Sequence, residues 1–216
     1  MSRLEEILNQ AKEKLKEKEK AKRQIEEASQ KARTLAKQAI LLIHKDTEER
    51  AEENLKEASK FLEEVKTLLD QHPEFTTHGA VEAAWQEYSE AKILITLEKR
   101  GVFPELPEVP LDSYILGLGD VVGELRRAVL DDLRDERFEE AEQRLKRMEE
   151  IYDALISAEE MSILLKDLRR KIDIARGVIE ATRGDLTIEA GRKRLAESMR
   201  ELLEKMGERR NGEAEG

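Results

Sequence analysis

The chain contains no cysteine. That excludes disulfides and thiolate metal sites. Proline occurs only four times, and aromatic residues make up 4% of the 216 residues. Such a composition suits helices better than sheets. No apolar run approaches the roughly 18 residues of a membrane span. The opening stretch MSRLEEILNQAKEKLKEKEK has no signal-peptide core, so a cytoplasmic protein is expected. What the chain has in abundance is charge, 41% of its residues, with a formal net of -10. High Glu, Lys and Arg content suits a thermophile. A negative total excludes a uniformly basic nucleic-acid binder. The charge is uneven, however. Positions 1–46 and 160–183 each carry more Lys and Arg than Asp and Glu. An acidic protein can still hold a polyanion along basic helices or through bridging cations.

Apolar residues recur at helical spacing in seven segments. The first covers about 2–45, with its firmest pattern at Ile25, Ala28, Ala32, Leu35, Ala39 and Ile43. The next cover about 47–71 and 78–100, divided by DQHPEFTTHG. RGVFPELPEVPLD holds three of the four prolines and reads as an extended connector. A fourth helix is expected from a cap at Asp112 or Ser113 to about 134, a fifth over 137–158, and a sixth over 160–182. Gly184 in RGD reads as a helix stop, followed by a seventh helix over 187–207. Residues 1–207 are thus expected to form one all-α domain, a seven-helix bundle with a long first helix, and 208–216 a disordered tail. No repeat of 20–50 residues is visible.

The stretch LDSYILGLGDVVGELRRAV (111–129) places Gly117, Gly119 and Gly123 inside the fourth helix. Each glycine costs a helix about 1 kcal/mol against alanine. At 100° per residue, Tyr114, Leu118, Val121, Val122, Leu125 and Val129 form one apolar stripe. Asp120 lies far round from it, with Glu124 one turn on and Gly117 and Gly123 beside it. The glycines therefore clear space for a second helix or a ligand. On the third helix, Glu87 emerges among Ala83, Ala84 and Ala91, with Glu90 at i+3. A half-sunk carboxylate there needs a cation, a basic side chain or a proton. If the two helices pack, Glu87, Glu90, Asp120 and Glu124 could converge as oxygen ligands for Mg²⁺ or Mn²⁺. Against this, a chain with 49 acids in 216 residues makes roughly eleven acid pairs at any one spacing by chance.

Other features are ordinary on their face. His44 ends the first helix, where it serves as a C-terminal cap or a phosphate contact. His72 and His78 have no convincing third zinc ligand. Trp85 falls on an apolar stripe and reads as core. RRKIDIAR offers Arg169, Arg170 and Arg176 either as a solvated face or as a phosphate-tracking one. No P-loop, dinucleotide fingerprint or nucleophile elbow is present.

DSYILGLGDVVGELRRAVLDDL (112–133) resembles the translin/TRAX family, and TRAX-type more than translin-type chains, through Asp120, Gly123, Glu124, Leu125 and Arg127. WQEYSEA resembles the family's Q-E-Y-x-E-A stretch through Gln86, Glu87, Tyr88, Glu90 and Ala91. EEIYDAL (149–155), ARTLAKQAILLIHK (32–45) and TRGD (182–185) resemble further family segments, so the likeness covers about 20–185. An archaeal member is expected. The resemblance implies a seven-helix α fold, a closed homo-oligomer and binding of single-stranded RNA, with single-stranded DNA as a further partner. It implies Glu87, Glu90, Asp120 and Glu124 as the catalytic acids of an Mg²⁺- or Mn²⁺-dependent endoribonuclease. Lys37, Lys45, Arg127, Arg169, Arg170 and Arg176 are the candidate phosphate contacts, with a structural ion pair as the alternative for Arg127. Three rivals stand: a binding-only subunit, an all-α nucleoside-triphosphate pyrophosphatase with paired acid motifs, and a structural helical adaptor.

Overall fold

The computed structural model describes residues 2–45 and 47–214, with side chains through 206. Among the described residues the chain is helical and contains no strand. The α-helices are α1 (Arg3–Ile43), α2 (Glu48–Gln71), α3 (Gly79–Arg100), α4 (Leu111–Arg134), α5 (Phe138–Ser157) and α6 (Leu168–Ala214). Short 3-10 turns occupy Pro73–Phe75 and Glu159–Ile163. No described helix is long and apolar enough to cross a membrane.

The expected seventh helix is absorbed into α6. Gly184 has no positive φ and so makes no left-handed cap. Buried Ile179, Thr182 and Leu186 carry the apolar stripe straight across it. Their burial outweighs the roughly 1 kcal/mol that a helical glycine costs. The expected sixth helix begins later than 160, because Asp167 sits at φ 72, a conformation that ends helical continuity. The fourth helix begins before its expected caps: the Tyr114 N–H already bonds the Pro110 carbonyl, and Asp112 accepts from the Ser113 N–H inside the first turn. The tail expected over 208–216 coincides with the end of α6 up to Ala214, and its side chains and last two residues lie outside the described residues.

The chain divides into two compact units, Met1–Val121 with Glu159–Lys171, and Val122–Ala158 with Ile172–Gly216. In the first, α1 packs against both α2 and α3. Its buried face is mostly alanine (Ala21, Ala28, Ala32, Ala36, Ala39), so neighbouring helices come close. A capping box of Ser2 and Glu5 starts α1, and His44 stands at its C-cap, with its N–H bonded to the Ile40 carbonyl. α3 is capped by His78, whose Nδ1 accepts from the Ala80 N–H, and it ends at Gly101 in the left-handed conformation. Trp85 is core, edge-on to Tyr88. In the second unit, the buried Asp132 carboxylate is held by Arg137 and Arg144. There Arg126 binds Thr182 and Asp185.

Gly117 is buried where α4 meets α3. A Cβ there would lie 2.9 Å from the Ser89 Cβ and 3.1 Å from both the Gln86 carbonyl oxygen and the Glu90 nitrogen. Two of those neighbours are backbone and cannot step aside. Gly123, by contrast, would meet nothing within 4 Å. Gly117→Ala should therefore destabilise the protein by about 1–3 kcal/mol, whereas Gly123→Ala should be neutral or stabilising by up to about 1 kcal/mol. Urea unfolding of both variants checks the opposite signs. Equal effects would refute the close approach.

Candidate functional site: a compensated pair of acids

The close seating of α4 on α3 sets Asp120 beside the Gln86 side chain, whose amide donates to Oδ2. The other oxygen, Oδ1, receives the Lys171 ammonium. Lys171 is 7% exposed, an unusual place for a lysine. It stands on the buried stripe of α6 with Leu168, Ile172 and Ala175. Its methylene stem lies against Gly119, where an added Cβ would come within 2.9 Å of its Cδ. Gly117 thus admits the α3 backbone, and Gly119 admits the lysine stem.

Glu87 turns to α1. Arg33 Nη2 and Lys37 Nζ each lie 3.2 Å from its Oε1. Glu90 is buried on the same helix. Glu124 follows Asp120 by one helical turn on α4 and is half-buried. Among the described residues, no group of three or more His, Asp or Glu side chains is arranged to hold a metal ion. The positive charge around Glu87 and Asp120 comes from side chains.

The basic candidates are distributed. Lys37 is engaged with Glu87 yet half-exposed. Lys45 and Arg127 are exposed. Arg169 and Arg170 are exposed and reach Glu159 and Asp167, at 3.9 and 3.3 Å. Arg176 donates to the Tyr152 hydroxyl at 2.8 Å, and that hydrogen bond is the main reason its pKa is raised. Burial pushes the Tyr88 and Tyr114 hydroxyls up from their ordinary value, with Glu108 and Glu105 adding to it. Neither phenol is therefore a ready base at neutral pH.

Sequence reasoning missed Lys171, Gln86 and Arg33. The signal for Lys171 was present: a lysine in register with an apolar stripe needs a carboxylate. The arginines on either side of it drew attention to the exposed face instead.

No family model matches the chain. An uncharacterized protein of Methanocaldococcus jannaschii is 34% identical over 168 residues, 74% of each chain. Among solved structures, AfC3PO in complex with duplex RNA is 33% identical with a TM-score of 0.78, covering 85% of this chain and 96% of that one. The structure of AfC3PO by itself gives 33% and 0.79 over the same shares. That of apo-NeC3PO gives 26% and 0.75, over 84% and 96%.

The two acids should differ in structural weight. Asp120→Ala strands the buried Lys171 ammonium. It should cost about 2–3 kcal/mol, below the roughly 3–5 kcal/mol of a fully buried pair because Asp120 is partly exposed. Glu87→Ala leaves Arg33 and Lys37 free to reach water and should cost less than about 1 kcal/mol. Thermal unfolding of the two variants measures the difference, and the reverse order would contradict the burial of Lys171.

Proposed function

The chain belongs to the translin/TRAX family, that of the C3PO-type proteins, and on that premise we propose that it is an RNA-binding protein that works as a homo-oligomer. The observation that carries the reading is the similarity, over 85% of this chain and 96% of the other, to AfC3PO, which has been solved with duplex RNA. Physical support comes from the exposed bases. Lys45, Arg127, Arg169 and Arg170 present positive charge on an otherwise acidic chain. Phosphate contacts of this kind supply affinity without reading sequence. Single strands and duplexes would both satisfy them. Single-stranded DNA presents the same phosphates to them.

RNA cleavage is the second reading. The observation favouring it is that Glu87, Glu90 and Asp120 occur where α3 and α4 come closest, around Gly117. With Glu124 they match the acids that the family resemblance implies. The reading stands or falls on cleavage of a labelled single-stranded RNA with Mg²⁺ or Mn²⁺, the wild type run beside Asp120→Asn. Divalent-dependent cleavage lost in the variant supports it. Full cleavage by Asp120→Asn, or none by the wild type, removes it and leaves binding alone.

For binding, fluorescence anisotropy with a labelled RNA should show affinity falling steeply as salt rises from about 50 to about 200 mM. Arg169→Glu with Arg170→Glu should weaken binding to all RNA sequences alike, by about tenfold or more. Salt-independent binding, or none at low salt, would reject the proposal.

A further inference from the structure

The apolar residues of α6 change face part-way along it. Ile172, Ala175, Ile179, Thr182 and Leu186 form one buried stripe. Beyond it the same face continues as Lys193, Glu197, Arg200 and Glu204, all exposed. The apolar side chains are now Ile188, Leu195, Met199, Leu202 and Met206, each more than half exposed. At 100° per residue this second stripe is centred about 160° round the helix from the first. Helices in proteins are stabilised chiefly by packing an apolar face. A contiguous apolar stripe left in water marks a contact surface.

With Arg192, the second stripe occupies positions 188, 192, 195, 199, 202 and 206, a repeat of 3.5 residues. Such a seam fits another helix with the same repeat. Ile163 and Leu164, also exposed, lie at the end of a 3-10 turn and offer no helical seam. The start of α1 offers Leu4, Leu8, Ala11 and Leu15, but its repeat meets Lys18 next and is too short to cover the whole stripe. The stripe of a second copy has the full length, and its charges select a direction. In its first half Arg192, Lys193 and Arg194 outnumber Glu189. In its second half Glu197, Glu201 and Glu204 outnumber Arg200 and Lys205. Two copies running the same way would set basic half against basic half, and Arg192 against Arg192. Running opposite ways, each basic half meets an acidic half, and Arg192 lies across from a leucine. A cavity of about 720 Å³ stands at the foot of the stripe. Leu130, Leu133, Phe138 and Ile188 give it apolar walls, and charged residues of both signs complete its lining. Only the reversed direction brings the far end of the other helix to it.

We propose that residues 188–206 of α6 pair antiparallel with the same segment of a second copy of this chain. Leu195 then packs against the partner's Met199, Ile188 against the partner's Met206, and Arg192 beside the partner's Leu202. Every contact is made twice, about a two-fold axis at residue 197. Ala196 and Ser198 flank that axis with small side chains and let the helices close. The inference rests on the reading that the chain is a homo-oligomer, and it names the surface that joins two copies.

The chain has no cysteine, so introduced thiols report this contact without background. Full-length Leu195→Cys and Met199→Cys are co-expressed with a tag on one of them, oxidised, and separated on a gel. The ratio of mixed to self-linked disulfides should lie at least about fivefold above that of random pairing, because only the unlike positions come within the roughly 7 Å that a disulfide spans between Cα atoms. Lys193→Cys with Glu197→Cys, the same spacing on the opposite face, should link at background level. All four residues are exposed, so the fold should survive, which circular dichroism and a wild-type mass by light scattering check. A ratio at the random value, or self-links in excess, means that the copies do not run antiparallel and overturns the inference. So does a wild-type oligomer that forms no link above the Lys193–Glu197 control, since another surface then covers the stripe. A monomeric wild type overturns the homo-oligomer reading and the inference with it.

Discussion

The ammonium of Lys171, buried against the carboxylate of Asp120, is the interaction on which the arrangement of α3, α4 and the start of α6 depends. A lysine in an apolar stripe is tolerable only with a fixed counter-charge. Asp120 provides it only if α4 lies close to α3, where Gln86 holds the second carboxylate oxygen. That approach requires a residue without a side chain at 117. The lysine stem requires another at 119. Two glycines inside a helix, each unfavourable locally, are therefore consequences of one buried charge.

Compensation also shapes what the acids can do. Two bare carboxylates near a phosphodiester would repel it. Here Glu87 is matched by Arg33 and Lys37, and Asp120 by Lys171. The acids then add little net field, and the exposed bases decide how a polyanion is met. In the proposed reading, a chain with a net charge of -10 holds RNA through local surface charge: arginines and lysines stand exposed in stretches where bases outnumber acids.

Much of the fold was legible because apolar periodicity records which face is buried. Ile25, Ala28, Ala32 and Ala39 on α1, and Val121, Val122, Leu125 and Val129 on α4, are buried as their spacing required. Helix ends were less legible. Gly184 has the composition of a stop, yet a terminating glycine is defined by its φ, and the burial of Leu186 decided otherwise. The reading of the glycines as clearance for a helix is met at Gly117, where α3 comes close, whereas Gly123 faces open space. At the site, the types of the residues could be read but their partners could not. An acid pattern on two helices is equally compatible with a cation and with lysine or arginine from a third. Lys171 is distant in sequence from Asp120, and only the fold brings them together.

The claim that the Asp120 charge is balanced from within the protein is tested most directly by a double-mutant cycle. Unfolding free energies are compared for the wild type, Asp120→Asn, Lys171→Met and the double variant. A direct pair predicts that the double variant loses at least about 1 kcal/mol less than the sum of the single losses. Losses that add to within about 0.5 kcal/mol would contradict it, since uncoupled sites add to that accuracy.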